Sequence, residues 1–321
     1  MSVIRVRGLT KRFRGKEAVS DLTFDVAPGT VTGFLGPNGA GKSTTLRMLL
    51  GLTEPTTGEA TVLGRPYREL AAPLQRVGAV LEADGFHEGR TGRNHLRVVA
   101  LSAALPERRI DEVLQLVGLT GAGRRRVRTY SLGMRQRLAL ATALLGDPEL
   151  LILDEPANGL DPEGIRWLRD FLRARAAEGR TVLVSSHVLT EVAQTVDHVV
   201  IVHHGRLVAE GSVQELVGGS EGVRVHTPQA DRLRDLARGE GLTAELLAPG
   251  VLRVSGATPR QVGGLVARNG IELDELTATR RSLEDVFFEL TSPAPVGPAS
   301  TDLTTGGPRA CAVASGTGDP T

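Results

Sequence analysis

The chain has 321 residues, 40% of them hydrophobic, which is enough for one full α/β domain and a smaller one. A formal net charge of +1 supplies no global field toward nucleic acid or an anionic membrane. No apolar run nears the ~20 residues a helical membrane span needs, and the single cysteine, Cys311, excludes an internal disulfide and fits a reducing compartment.

The opening MSVIRVRGLTKRF alternates apolar and basic residues as an edge strand does, and it lacks the apolar core of a signal peptide. Lysine occurs only at positions 11, 16 and 42, so Lys42 stands out from an arginine-rich background. VTGFLG (31–36) is continuously apolar, as a strand buried on both faces is. It runs into GPNGAGKST (36–44), which fits G-x-x-x-x-G-K-[ST] and precedes the helical TLRMLLGL. Gly36, Gly39 and Gly41, with Asn38 and Thr44 in the same loop, let successive N–H groups turn toward one anion. The following helix N-terminus adds its positive dipole end. Lys42 can reach the β- and γ-phosphates, and the Ser43 hydroxyl can ligate Mg²⁺.

Farther on, RRRVR (124–128) lacks interleaved aromatic residues and reads as a solvated face rather than a nucleic-acid patch. ELLILDE (149–155) is a second buried strand ending in two carboxylates. Asp154 is placed to hold Mg²⁺ through water, and Glu155 to polarise an attacking water. DPEGIRWLRDFLRARAAEG (161–179) predicts a helix capped by Asp161, with Ile165, Leu168, Phe171 and Leu172 on one face. TVLVSS (181–186) predicts a third buried strand. His203–His204 has no Cys or carboxylate at ligand spacing, so no metal is assigned there.

The composition changes after about Gly222. Residues 222–291 can form a small βαββαβ unit of ferredoxin-like type: VRVHT, a helix through Leu233–Leu236, a VLRVS arm, a helix through Val262–Val266, and IELDELT. SLEDVFFELT (282–291) predicts a short amphipathic helix. Residues 292–321 have little to bury and read as a disordered tail. The expected domains are therefore 1–221 for nucleotide binding, 222–291 as an accessory domain, and 292–321 as tail. By these residues alone the chain binds ATP or GTP, with its class open.

Residues 1–220 resemble ATP-binding-cassette (ABC) ATPases along their whole length and in motif order. YSLGMRQ (130–136) resembles the LSGGQ signature of that family, with Tyr130, Leu132 and Met134 as departures and Ser131 and Gly133 retained. The resemblance implies a P-loop α/β fold with a helical subdomain, and Mg·ATP as the bound nucleotide. It places Phe13 against adenine, although a core aromatic is the alternative reading. It makes His187 of SSHVLTEV (185–192) a γ-phosphate contact and turns Asp161 of NGLDP (158–162) toward a partner subunit. Glu82 stands where the family has a Gln that ligates Mg²⁺ and the attacking water, a role its carboxylate can also fill, with a surface carboxylate as the alternative reading. In the family, Ser131 of one subunit closes over ATP bound to the other, which implies a homodimer or a pair with a second ATPase subunit. Residues 84–130 are then the insertion that touches a membrane permease from the cytoplasmic side, with Phe86 and His87 as candidates for that contact and a local packing role as their alternative reading.

The SLGM form resembles bacitracin- and lantibiotic-exporter ATPases, and RRSLEDVFFELT (280–291) resembles the ending of daunorubicin-type ATPases. Export of a drug, antibiotic, peptide or lipid-like substrate follows as the expectation. A soluble cassette protein acting on ribosomes or nucleic acid is the alternative. Against it, the chain has one cassette and lacks both a coiled-coil insertion and basic patches. A small-molecule P-loop kinase would explain neither YSLGMRQ nor His187.

Overall fold

The three continuous apolar runs lie side by side in the middle of one sheet. A computed structural model describes residues 2–81, 85–189, 193–217, 222–279 and 282–291. Glu82, part of the segment after His187, and the 292–321 tail lie outside the described residues. Strands β3 (Val31–Leu35), β6 (Leu150–Leu153) and β7 (Thr181–Ser186) are buried at every position. With β5 (Val77–Val80), β8 (His198–His203) and β9 (Arg206–Ser212) they form a six-stranded sheet in the order β5-β6-β7-β3-β8-β9. All pairings are parallel except the β8–β9 hairpin at one edge. Burial on both faces explains why these strands are uniformly apolar rather than alternating.

A second sheet of three antiparallel strands packs over the first. Its order is β2 (Lys16–Val26), β1 (Ile4–Phe13), β4 (Thr57–Val62). The amino-terminal strand is thus central rather than an edge. Alternation reports one buried and one solvated face, and does not say how many neighbours the strand has. Phe24 of β2 stacks on Phe34 of β3 with centroids 5.4 Å apart, joining the two sheets.

Helices α1 (Lys42–Leu49) and α2 (Pro73–Arg76) follow β3 and precede β5. Helices α3 (Gly92–Ser102), α4 (Arg108–Leu116) and α5 (Leu132–Leu144) pack on one another as a helical subdomain. Helix α6 (Pro162–Ala177) begins where Asp161 Oδ1 accepts from Gly164 N at 2.8 Å, and it buries Leu168, Phe171 and Leu172. Among the described residues, no helix is long and apolar enough to cross a membrane.

After α7 (Val213–Val217) comes a separate four-stranded antiparallel sheet, β11-β12-β10-β13. Its strands are β10 (Gly222–His226), β11 (Thr243–Ala248), β12 (Val251–Ser255) and β13 (Glu275–Thr279), with helices α8 (Ala230–Gly239) and α9 (Pro259–Arg268). The order of elements is βαββαβ. Its core draws Val223, Val225, Leu252 and Val254 against Leu233, Val262 and Leu265. The last strand begins at Glu275, four residues after the start of IELDELT. Ile271 is buried in the core under α9, and the strand forms only after Asp274 N donates to His226 O at 2.9 Å.

Helix α10 (Leu283–Thr291) does not join that core. Leu283 and Phe287 pack with the cassette's main cluster, against α7 and β9. The segment expected as one accessory domain, 222–291, therefore contains a small α+β core followed by a helix that packs on the cassette.

Candidate nucleotide site and family

Loops leaving the carboxyl ends of β3, β6 and β7 converge on one cleft, as loops at the ends of parallel strands do. The cleft is lined by Phe13, Lys16, Glu17, Ala18, Asn38, Gly39, Gly41, Lys42, Ser43, Thr44, Glu155 and His204. Gly41 precedes α1 at φ +99°, and a Cβ there would stand 2.5 Å from Ala18 O. Only glycine lets the loop both turn into the helix and lie this close to β2. Gly36 lies beneath the loop, where a Cβ would meet Val202 O at 2.2 Å.

Lys42 is only 6% exposed. Its ammonium has three donors and three acceptors in reach: Gly36 O at 2.7 Å, Pro37 O at 3.3 Å and Glu155 Oε1 at 3.2 Å. The other oxygen, Glu155 Oε2, is 2.8 Å from His187 Nδ1. Lysine, glutamate and histidine from three separate segments thus form one connected chain. Glu155 sits at φ +47°, a left-handed conformation that costs a non-glycine residue on the order of 1–3 kcal/mol.

One hydroxyl holds that strained turn. Ser185 Oγ accepts from Glu155 N at 2.9 Å and donates to Asp154 Oδ1. Asp154 is 8% exposed, so the hydroxyl also satisfies a buried carboxylate. In sequence the SSH segment points to His187 and gives Ser185 no role of its own.

Among the described residues, no group of three or more His, Cys, Asp or Glu is disposed to hold a metal. Ser43 is exposed next to the loop, and Asp154 is fixed behind it. Both offer oxygen, which suits a hard cation such as Mg²⁺. Such an ion would draw its remaining ligands from water and from the nucleotide's own phosphates.

Phe13 is 48% exposed and lies under Lys11, whose Nζ is 5.0 Å from the ring centroid. It is an open aromatic surface at the cleft rather than core. Ser131, Gly133 and Asp161 are not among the lining residues.

The model of the ABC transporter family matches residues 19–158, and a domain of unknown function matches 221–284. The bacitracin transport ATP-binding protein BcrA of Bacillus licheniformis is 37% identical over 312 residues, covering 92% of this chain and 99% of that protein. This chain belongs to the ABC transporter ATPases. Daunorubicin resistance ATP-binding protein DrrA3 of Streptomyces coeruleorubidus is likewise 37% identical, over 90% of this chain and 96% of its own length. The solved ATP-binding subunit of an ABC transporter aligns with TM-score 0.60 and 27% identity, over 83% of this chain and all of that one. A dimeric cassette solved with ADP and Pi has the same fold, with TM-score 0.60, 20% identity, and coverage of 65% of this chain and 98% of that one. The ABC ATPase is thus an ATP-hydrolysing transporter subunit.

The structure accounts for the departures in the ABC signature. Tyr130 is buried and its hydroxyl donates to Ala122 O at 2.8 Å. The hydroxyl fits because residue 92 is glycine, since a Cβ there would stand 2.3 Å from it. Burial pushes this phenol up from its ordinary pKa. Ser131 Oγ accepts from Met134 N at 3.3 Å and caps α5. Leu132 points at the loop after Glu155, where a Cβ on Gly159 would meet its Cδ2 at 2.2 Å. The leucine is therefore matched to a glycine in NGLDP of the same subunit. Arg137 lies over Trp167, 4.8 Å from the ring centroid, and ties α5 to α6.

Proposed function

We propose that this ABC ATPase powers an exporter as one of two cassettes, bound to the cytoplasmic face of a separate permease. Two Mg·ATP are held between paired cassettes, each site completed by Ser131 and Gly133 of the opposite subunit. Asp161 lies at the same junction. Residues 84–130, including Phe86 and His87, meet the permease. The cargo class, a drug, antibiotic, peptide or lipid-like molecule, is supported by likeness to proteins named for bacitracin transport, daunorubicin resistance and Nod factor export.

The Lys42–Glu155–His187 chain carries the hydrolytic part of the reading. In this conformation Lys42 spends its charge on Glu155. A γ-phosphate entering the loop competes for that ammonium and frees Glu155 Oε1. The freed oxygen can then take the proton of a water that attacks phosphorus, while His187 steadies Oε2. General-base assistance of this kind is worth ~10²–10⁴-fold. Bound Mg²⁺, held by Ser43 and by Asp154 through water, would neutralise phosphate charge.

Glu155→Gln tests both halves. ATP should then trap a stable dimer, seen by size-exclusion chromatography, while hydrolysis falls by ~10²-fold or more. Normal hydrolysis by that variant removes Glu155 as base. A monomer in ATP with hydrolysis lost removes the sandwich.

A further inference from the structure

His204 lines the nucleotide cleft, although no motif places it there. It sits in the two-residue turn between β8 and β9, with φ +48° followed by Gly205 at φ +78°. The turn is pinned behind the phosphate loop. Gly205 N donates to Ala40 O at 3.0 Å, and Gly205 O accepts from Ser20 N at 2.8 Å. A Cβ on Gly205 would stand 2.8 Å from Ala18 O, so the turn has no room to move toward β2. The His204 ring is therefore delivered, exposed, to the cleft that Phe13 and the phosphate loop also line.

That ring has a support. His203 stacks on it with centroids 4.0 Å apart and planes 29° apart. Phe287 of α10 meets the far side of His203 edge-on, at 5.6 Å and 64°. Burial first, and then the neighbouring His204, hold the His203 imidazole below its ordinary pKa, so a neutral ring is the one that stacks. Three rings thus run from α10 to the nucleotide cleft. Edge-to-face and offset aromatic contacts fix orientation as well as adding stability.

We propose that His204 is a nucleotide-binding residue, contacting the phosphate–ribose side of bound ATP through an imidazole N–H. Phe287 is its positioning residue, acting through His203. The proposal rests on the nucleotide-binding reading of the cleft. It also gives the carboxyl-terminal helix a function: displacing α10 loosens His204 and lowers nucleotide affinity without touching Lys42 or Glu155.

The test uses the purified full chain and a titration of ATP binding beside steady-state hydrolysis. His204→Ala should raise the ATP Kd and KM about five- to tenfold, the weight of one lost ordinary hydrogen bond, with kcat within about twofold. Phe287→Leu keeps apolar volume and removes the ring. It should raise Kd about two- to threefold in the wild-type background and change nothing further in His204→Ala. Wild-type affinity in His204→Ala overturns the contact. Equal effects of Phe287→Leu in both backgrounds overturn the coupling. Failure of the unaltered chain to bind ATP would instead strike the nucleotide-binding reading itself.

Discussion

The cassette sheet and the accessory sheet treat their polar residues differently. In the cassette, β3, β6 and β7 run parallel, so the loops after them emerge on one edge. Lys42, Asp154, Glu155, Ser185 and His187 all come from that edge and touch one another in sequence. In the accessory sheet all pairings are antiparallel. Its charged residues lie along strands, with Glu245 beside Arg253 and Arg253 beside Arg224. Parallel strands gather their ends and with them a site; antiparallel strands alternate theirs and leave polar side chains spread over a face.

The largest break in that contrast is Lys42→Ala. It should abolish measurable ATP hydrolysis and weaken ATP binding by at least ~100-fold, since a buried charge contact to phosphate is lost. Ser185→Ala comes next. It leaves Asp154 without its buried donor and frees the Glu155 turn, so kcat should fall about 10- to 100-fold with ATP Kd nearly unchanged. A matching loss of affinity would mean that Ser185 shapes the binding loop rather than the catalytic turn.

Gly159→Ala puts a Cβ into Leu132 at a left-handed φ of +76°. It should lower hydrolysis about tenfold, and adding Leu132→Gly should restore only part, because the clash is relieved and the strain of ~1–3 kcal/mol is not. Full restoration would assign the whole effect to side-chain contact. The smallest expected effect on the site comes from Leu252→Ala in the accessory core. It should destabilise that core by ~2–5 kcal/mol, seen as an earlier thermal transition, while the ATP Kd stays within about twofold. A large loss of ATP affinity there would dissolve the distinction between the two sheets.

Much of the site was legible because its residues lie in short stretches with local geometry. A glycine-rich loop between an apolar strand and a helix, or two carboxylates after LLIL, carry their positions in their neighbours. The central place of β1 was not legible, since alternation fixes faces and not partners. Ser185 was hidden because its role depends on a strand 31 residues away in sequence. In sequence Leu132 shows only as a departure from the signature, and its fit against Gly159 is a tertiary contact. His204 gave no signal, because a pair of histidines in a hairpin has no meaning until the turn is placed.

The sequence by itself determined the nucleotide loop, the paired carboxylates after LLIL, the family, and the βαββαβ order that follows. Each is encoded by residues adjacent in the chain, where backbone freedom, capping and apolar periodicity act. Only the tertiary structure decided that Lys42 is held by Glu155, that Ser185 locks Asp154 and Glu155, and that α10 leaves the accessory core for the cassette. It also decided that Phe287 reaches the nucleotide cleft through two histidines. These are contacts between distant segments, and burying apolar surface fixes which distant segments meet without marking them in any local pattern.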